Sequence, residues 1–208
     1  MNKNSISELN RFFSAERLYS YGKNLSFDEQ LKNYNYNIDL CKAFYSSLNY
    51  FEICFRNSID LSLTDFVAGG DWFNILPLNN ESLIKISDAK NVVKSKNHPV
   101  THDRIVSELS LGFWTALFSK KYSQCAFQGF LIKKVFSNFP KREKNVKNIQ
   151  KKVDAIRDLR NRICHYERIF HFPDLQKRHD DLLFCIRGMS EEMFLQASEI
   201  DFFPIPLS

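Results

Sequence analysis

The longest regular pattern in the sequence is helical and runs from residue 26 to about residue 66. Ser26 and Glu29 have the spacing of a capping box, which closes the first turn of a helix. Apolar residues then recur at the intervals expected for one face of a helix. They are Leu31, Tyr34, Ile38, Cys41, Tyr45, Leu48, Phe55 and Ile59. We predict one long helix, with a kink allowed near residues 33–37, where asparagine lowers helix propensity.

A second helical pattern covers residues 145–170. Its apolar face carries Val146, Ile149, Val153, Ile156 and Ile163. No stretch has the alternation of a strand, and the chain of 208 residues has only six glycines and six prolines. We predict an all-α fold with a core rich in phenylalanine. We expect a single domain over residues 1–208, with a helical insertion at about 71–100 and a C-terminal helical extension at about 173–208.

Charge and cysteine content narrow the class of protein. The net charge of +5 is compatible with a nucleic-acid partner without requiring one. The five cysteines are scattered and form no Cys-x-x-Cys pair, which is typical of reduced thiols and predicts neither a metal site nor a cofactor. No signal-peptide core and no apolar stretch long enough for a membrane span occur. We expect a cytoplasmic protein with no membrane partner.

Two charged residues lie where the apolar faces should continue. Glu52 falls between Leu48 and Phe55, and Arg160 follows Ile156. Burying a charge is costly unless a partner neutralises it. Glu52 is therefore expected to pair either with Arg56, four residues further along the same helix, or with Arg160. Such a pair either orients an active-site arginine or is a structural ion pair between two core helices, and the sequence favours neither.

Arg160 and His165 suit cleavage of RNA by its own 2′-hydroxyl group, which needs proton transfer and stabilisation of a charged phosphorane. The imidazole of His165 would act as acid or base, and Arg160 would donate hydrogen bonds to the phosphate. Asn161, one turn before His165, would hold the imidazole or contact a phosphate oxygen. A single helical histidine is more often merely solvated, so the assignment of His165 depends on these neighbours.

The same residues carry a family resemblance. Residues 160–165 read Arg-Asn-Arg-Ile-Cys-His and resemble the catalytic motif of HEPN-domain ribonucleases. The pattern Arg-Asn-x-x-x-His-x-Glu-Arg-Ile-Phe, at 160–170, is similar to the Abi-like family of phage abortive-infection proteins. So are residues 48–57 (Leu-Asn-Tyr-Phe-Glu-Ile-Cys-Phe-Arg-Asn) and 109–114 (Leu-Ser-Leu-Gly-Phe-Trp). The resemblance spans about residues 10–175.

This resemblance implies a HEPN-like helical bundle with additional helices and a metal-independent RNA endonuclease that leaves 2′,3′-cyclic phosphate ends. It implies a role in phage defence or as a toxin, with an antitoxin or a small inhibitory RNA as a further partner. Arg160, His165 and Asn161 would be catalytic, and Glu52 and Arg56 would support them. The cleft would be formed by two subunits, and the few groups that one motif supplies agree with a homodimer.

Further cations would hold the RNA backbone. They are Arg157, Arg162, Arg168, Lys147, Lys151 and Lys152. The basic stretch at 141–152 is alternatively a solvated helix start. Cys164 is expected to pack, and His171 and His179 to lie on the surface. The rival function is a non-catalytic HEPN module that binds RNA or a protein, and a buried or unpartnered His165 would favour it.

Overall fold

Helix α2 (Phe27–Phe66) is the longest element of the computed structural model, which describes residues 8–9 and 11–203. Throughout this part of the chain the regular elements are helical and none is a strand, which confirms the all-α prediction. The other helices are α1 (Ala15–Tyr19), α3 (Trp72–Ile75), α4 (Asn80–Ser95), α5 (His102–Glu108), α6 (Leu111–Ala116), α7 (Ala126–Val135), α8 (Val146–Cys164), α9 (Leu175–Met189) and α10 (Glu191–Glu199), with a 3₁₀ turn at Lys120–Tyr122.

The capping box of α2 is present as predicted. The hydroxyl of Ser26 accepts from the amide of Glu29, and the carboxylate of Glu29 accepts from the amide of Ser26 at 2.9 Å. The helix runs unbroken through the asparagine-rich stretch. It ends where Ala68 and Gly69 take positive φ angles of 56° and 97°.

The buried face of α2 differs from the predicted one in its first half. Leu40 and Phe44 are buried, whereas Tyr45, which was predicted to face inward, is 66% exposed. The buried positions come one residue earlier because the C-terminal part of the chain covers that side. Phe44 contacts the rings of His179, at 5.6 Å, and Phe203, at 4.9 Å.

Phenylalanine rings form the centre of the core, as the composition predicts. Phe55 stacks on Phe51 at 5.1 Å and on Phe118 at 5.6 Å, and Phe136 continues the contacts to Phe139 at 4.7 Å. The cluster also takes in residues from both segments that the sequence marks as additions to the domain. They are Trp72, Phe73, Leu76, Leu78, Ile86 and Ala89 from 71–100, and Leu182, Cys185, Ile186, Met189 and Ala197 from 173–203.

His179 is buried, so its prediction as a surface residue was wrong. The side chain is 3% exposed, and its Nε2 lies 2.8 Å from Asp201 Oδ2, without the alignment of a hydrogen bond. The partner is 22 residues away along the chain, and the ring of Phe203 stacks on the imidazole at 4.5 Å. Within the described residues, no helix is both long enough and apolar enough to cross a membrane.

Candidate functional site

The motif helix α8 ends about six residues earlier than its periodicity predicts, at Cys164 rather than near residue 170. Tyr166 adopts the left-handed conformation, with φ of 58°. The amides of Tyr166 and Glu167 turn back to the carbonyls of Ile163, at 3.1 Å, and Arg162, at 2.8 Å, which is the pattern of a Schellman motif. His165 is therefore the C-cap residue. Arg168 lies beyond the helix.

The apolar face of α8 is largely as predicted, except that Leu159 rather than residue 160 continues it. Ile149, Val153 and Ile156 are buried, and Leu159, at 1% exposure, continues the face to Ile163. Arg160 therefore lies at the edge of the face rather than in it. That edge faces α2.

The carboxylate of Glu52 on α2 binds the guanidinium of Arg160 on α8. Arg160 Nε donates to Glu52 Oε2 at 3.0 Å and Nη2 donates to Oε1 at 3.3 Å, and about a third of each side chain is exposed. Parallel hydrogen bonds of this kind fix the plane of the guanidinium as well as its position. Of the two partners considered for Glu52, the structure has Arg160. Arg56 Nε instead donates to the side-chain oxygen of Asn57 at 3.0 Å.

The ion pair borders a cleft of about 360 Å³ between α2 and α8. Arg56 lines this cleft together with Glu52, so the guanidinium groups of Arg56 and Arg160 share one opening. Cys164 also lines it and is exposed, which corrects the prediction that this side chain packs in the interior. The cleft thus offers an accessible region with two arginines and one carboxylate.

His165 lies at the end of the same helix with an exposed side chain. Its amide donates to the carbonyl of Asn161 at 2.9 Å, but its imidazole makes no hydrogen bond, ion pair or ring contact with any described residue. The side chain of Asn161 lines a different, shallow cavity beside Arg162 and Phe172. Within one chain, the hydrogen bonds therefore connect Glu52 to Arg160 and leave the imidazole of His165 unpartnered.

The predicted RNA-binding cations fall into two groups. Arg157 contacts Asp154 at 3.0 Å and donates to Thr115 at 3.1 Å, which ties α8 to α6. Lys152 pairs with Asp181 at 2.8 Å. Burial lowers the pKa of Lys152, but the hydrogen bond with Asp181 and the nearby negative charges together outweigh burial, so the net pKa is raised. These two cations hold helices together.

The other four cations lie on the surface. Arg162 pairs with Glu167 at 3.0 Å and lies over the ring of Phe172, and Arg168 donates to the carbonyl of Ser20. Lys147 and Lys151 are exposed and form no ion pair with any residue that the structure describes. Among the predicted RNA-binding cations, Lys147 and Lys151 therefore offer uncommitted ammonium groups to an anionic partner.

A row of amide side chains on α2 holds the segments around the motif, and the sequence analysis missed it. Gln30 and Asn33 donate to the carbonyls of Gly22, at 2.8 Å, and Tyr21, at 2.9 Å. Asn37, which is 4% exposed, holds the loop after His165. Its Oδ1 accepts from the amides of residues 169 and 170 at 2.6 and 3.2 Å.

The signal for this row was present in the sequence. Three amide residues at positions 30, 33 and 37 have helical spacing, and a side-chain amide both donates to and accepts from backbone groups. The asparagines suggested a kink because of their low helix propensity, but in the structure their side chains bind backbone groups of neighbouring segments. The loop that follows the motif is thus anchored to the longest helix of the protein.

Comparisons with protein-family models, with curated proteins and with solved structures found no match for this chain. Among the described residues, no group of three or more His, Cys, Asp or Glu side chains is placed to hold a metal ion.

Proposed function

We propose that the protein is a HEPN-type, Abi-like endoribonuclease that cleaves RNA without a metal ion and acts in the cytoplasm in phage defence or as a toxin. The 2′-hydroxyl of the RNA attacks the adjacent phosphate, and the products carry 2′,3′-cyclic phosphate ends. Arg160 stabilises the phosphorane, and His165 transfers protons. Glu52 orients Arg160, and an antitoxin or a small RNA restrains the activity.

The Glu52–Arg160 pair is the observation that carries this proposal. It holds a guanidinium at the mouth of an open cleft, at the end of the helix whose C-cap is His165. An arginine that is fixed in this way needs little reorganisation to bind a phosphate. Arg56 adds a second guanidinium on the α2 side of the cleft.

A homodimer completes the site in this proposal. The imidazole of His165 is exposed and has no partner among the described residues of its own chain, and Asn161 lies on a different side of α8. A second copy that packs against the ends of both motif helices would bring two imidazoles and two arginines to one RNA strand. The exposed side chain of Ile53, at 40%, borders the cleft and offers apolar contact area for that copy.

The unpartnered imidazole also supports a second candidate, a non-catalytic module that binds RNA or a protein. A catalytic histidine is usually oriented by a hydrogen bond, and the charge of Arg160 is already offset by Glu52. In this function Arg160, Arg56 and the exposed lysines would hold phosphate groups without cleaving.

Cleavage of single-stranded RNA by purified His165→Ala and His171→Ala variants tests the proposal. His171 is an exposed histidine six residues further along the chain and serves as the matched control. We expect the His165 variant to lose about a hundredfold or more of its cleavage rate, since acid–base catalysis contributes on this order. The His171 variant should cleave like wild type. RNA binding without cleavage by wild type would instead support the binding module.

A further inference from the structure

A large aromatic cavity adjoins the cleft and has no part in the chemistry described above. It has a volume of about 600 Å³ and lies between α1, α2 and the first residues after α8. Its described lining contains two cations and no carboxylate. Arg17 donates to the carbonyl of Tyr166, and Lys42 pairs at 2.9 Å with Asp39, an exposed residue outside the lining. The side chains that matter here are Arg17, Tyr21, Tyr34, Lys42, Tyr45 and Tyr166. Four aromatic rings with cations at the rim are complementary to a planar, anionic ligand such as a nucleotide.

Tyr21 presents a hydroxyl to this cavity. The residue is 2% exposed and lines the cavity, and its hydroxyl makes no hydrogen bond with any described residue. Burial raises the pKa of Tyr21, so the phenol stays protonated and keeps a proton to donate. Its oxygen keeps access to the cavity, so it can donate to a ligand group that enters.

Tyr166 supplies an exposed aromatic ring at the edge of the cavity. Its φ of 58° belongs to the Schellman motif that ends α8, and the residue is 77% exposed. The ring buries little apolar surface within the chain, so it is available to stack on a ligand. Tyr45, at 66% exposure, lines the same cavity from α2.

The cavity and the cleft are adjacent and share three lining residues, Tyr45, Ile163 and Cys164. A nucleotide in the cavity would therefore lead its strand directly to Arg160. We propose that this cavity binds one unpaired nucleotide of the RNA substrate, with the base stacked on Tyr45 and Tyr166. Its edge accepts a hydrogen bond from the Tyr21 hydroxyl, and Arg17 and Lys42 attract the flanking phosphates. This inference rests on the proposed function, and it favours a single-stranded substrate, because a paired base would first have to break its pairing and stacking to enter.

Binding of a fluorescein-labelled single-stranded RNA to full-length protein in a His165→Ala background tests the inference apart from cleavage. We expect Tyr45→Ala and Tyr166→Gly each to weaken binding about tenfold through loss of base stacking. Tyr21→Phe, which removes only the hydroxyl, should weaken it about threefold. Tyr19→Ala is the matched control, since Tyr19 is 49% exposed and does not line the cavity.

Two further ligands distinguish the contribution of the bases to binding from that of the phosphate backbone. An oligomer of the same length without bases should bind the wild-type and tyrosine variants equally, because only phosphate attraction remains. The same RNA annealed to its complement should bind more weakly than the single strand. Equal affinity for the single strand and the duplex would overturn the inference.

The outcomes also separate this inference from the proposed function. If wild type cleaves RNA and the tyrosine variants bind it normally, the nucleotide site is wrong and the nuclease stands. If the variants lose binding in a protein that never cleaves, the site stands without the nuclease. Absence of RNA binding by every form would overturn both. A free mononucleotide that binds as tightly as the RNA would show that the cavity takes a small molecule and would overturn the RNA assignment.

Discussion

Glu52 and Arg160, 108 residues apart in the sequence, form an ion pair with two hydrogen bonds. The pair joins α2 and α8, the two longest described helices, beside an accessible cleft. Pairs that are about one-third exposed contribute little to stability, on the order of 0–1 kcal/mol. The geometry is therefore better suited to orienting a guanidinium than to holding the fold together. This distinction can be measured.

Glu52→Gln keeps the shape of the side chain and removes its charge. We expect about a tenfold loss of RNA cleavage, because Arg160 is no longer fixed, and a free energy of unfolding within about 1 kcal/mol of wild type. Cleavage rates and urea unfolding measure the two effects. Unchanged cleavage together with a clear loss of stability would assign the pair a structural role only.

Asn37→Ala removes the acceptor that holds the loop after the motif. The amide of Ile169 is buried and donates to Asn37 Oδ1 at 2.6 Å, so the variant leaves it unsatisfied. We expect a loss of about 2 kcal/mol in the free energy of unfolding, and faster hydrogen exchange at Ile169. Asn33→Ala, which loses one bond to a carbonyl, should lose about half as much. Equal losses in the free energy of unfolding for the two variants would contradict the role of Asn37 as the main anchor of this loop.

Replacement of glycine by alanine should change the free energy of unfolding in opposite directions at Gly188 and at Gly129. A Cβ atom at Gly188 would lie 2.1 Å from the ring of Phe139, whereas nothing lies within 4 Å at Gly129. Gly188→Ala should lower the free energy of unfolding by about 1–3 kcal/mol through overpacking. Gly129→Ala, inside α7, should raise it by about 0.5–1 kcal/mol through helix propensity. Thermal unfolding compares the pair, and a stabilising Gly188→Ala would contradict the packing described here.

Protonation of His102 should make the free energy of unfolding depend on pH. Its ring nitrogens lie 2.8 Å from Asp60 and 2.9 Å from Asp71. Burial lowers the pKa of His102, but the hydrogen bonds to Asp71 and Asp60 and the charges of these carboxylates together outweigh burial and raise the net pKa above its ordinary value. A raised pKa in the folded state means that protonation stabilises the fold. This stability is complete below the unfolded-state pKa of about 6.5.

The contribution is lost as the pH rises through the raised pKa of the folded state. Wild type should therefore lose more stability than His102→Gln between about pH 6 and about pH 9. Urea unfolding at a series of pH values measures the difference. Parallel pH profiles for the two proteins would show that His102 does not carry this linkage.

Local sequence rules predicted the start of α2, and the cost of burying a charge drew attention to Glu52 and Arg160. The capping box of Ser26 and Glu29 needs only neighbouring residues, and a charge at an apolar position demands a partner, which led to Glu52 and Arg160. The end of α8 was missed because Tyr166 occupies a position where glycine is the usual signal. His179 was misplaced because Asp201 and Phe203 reach it only through the fold.

The exposed face around the cleft could not be predicted for a similar reason. Periodicity placed Tyr45 inside, yet the direction of the buried face depends on which helices cover it, and the contacts of Phe44 decide that. The role of Asn37 likewise depends on a loop that is 130 residues away or more. Tertiary contacts of this kind leave only weak traces in a single sequence.

The most direct test of the proposed function is RNA cleavage by wild type and His165→Ala in excess EDTA, with analysis of the product ends. The mechanism predicts that wild type cleaves without metal and leaves 2′,3′-cyclic phosphates, and that the variant does not cleave. Equal cleavage by both proteins would contradict the role of His165. Cleavage that EDTA abolishes, or products with 3′-hydroxyl ends, would contradict the metal-independent attack by the 2′-hydroxyl.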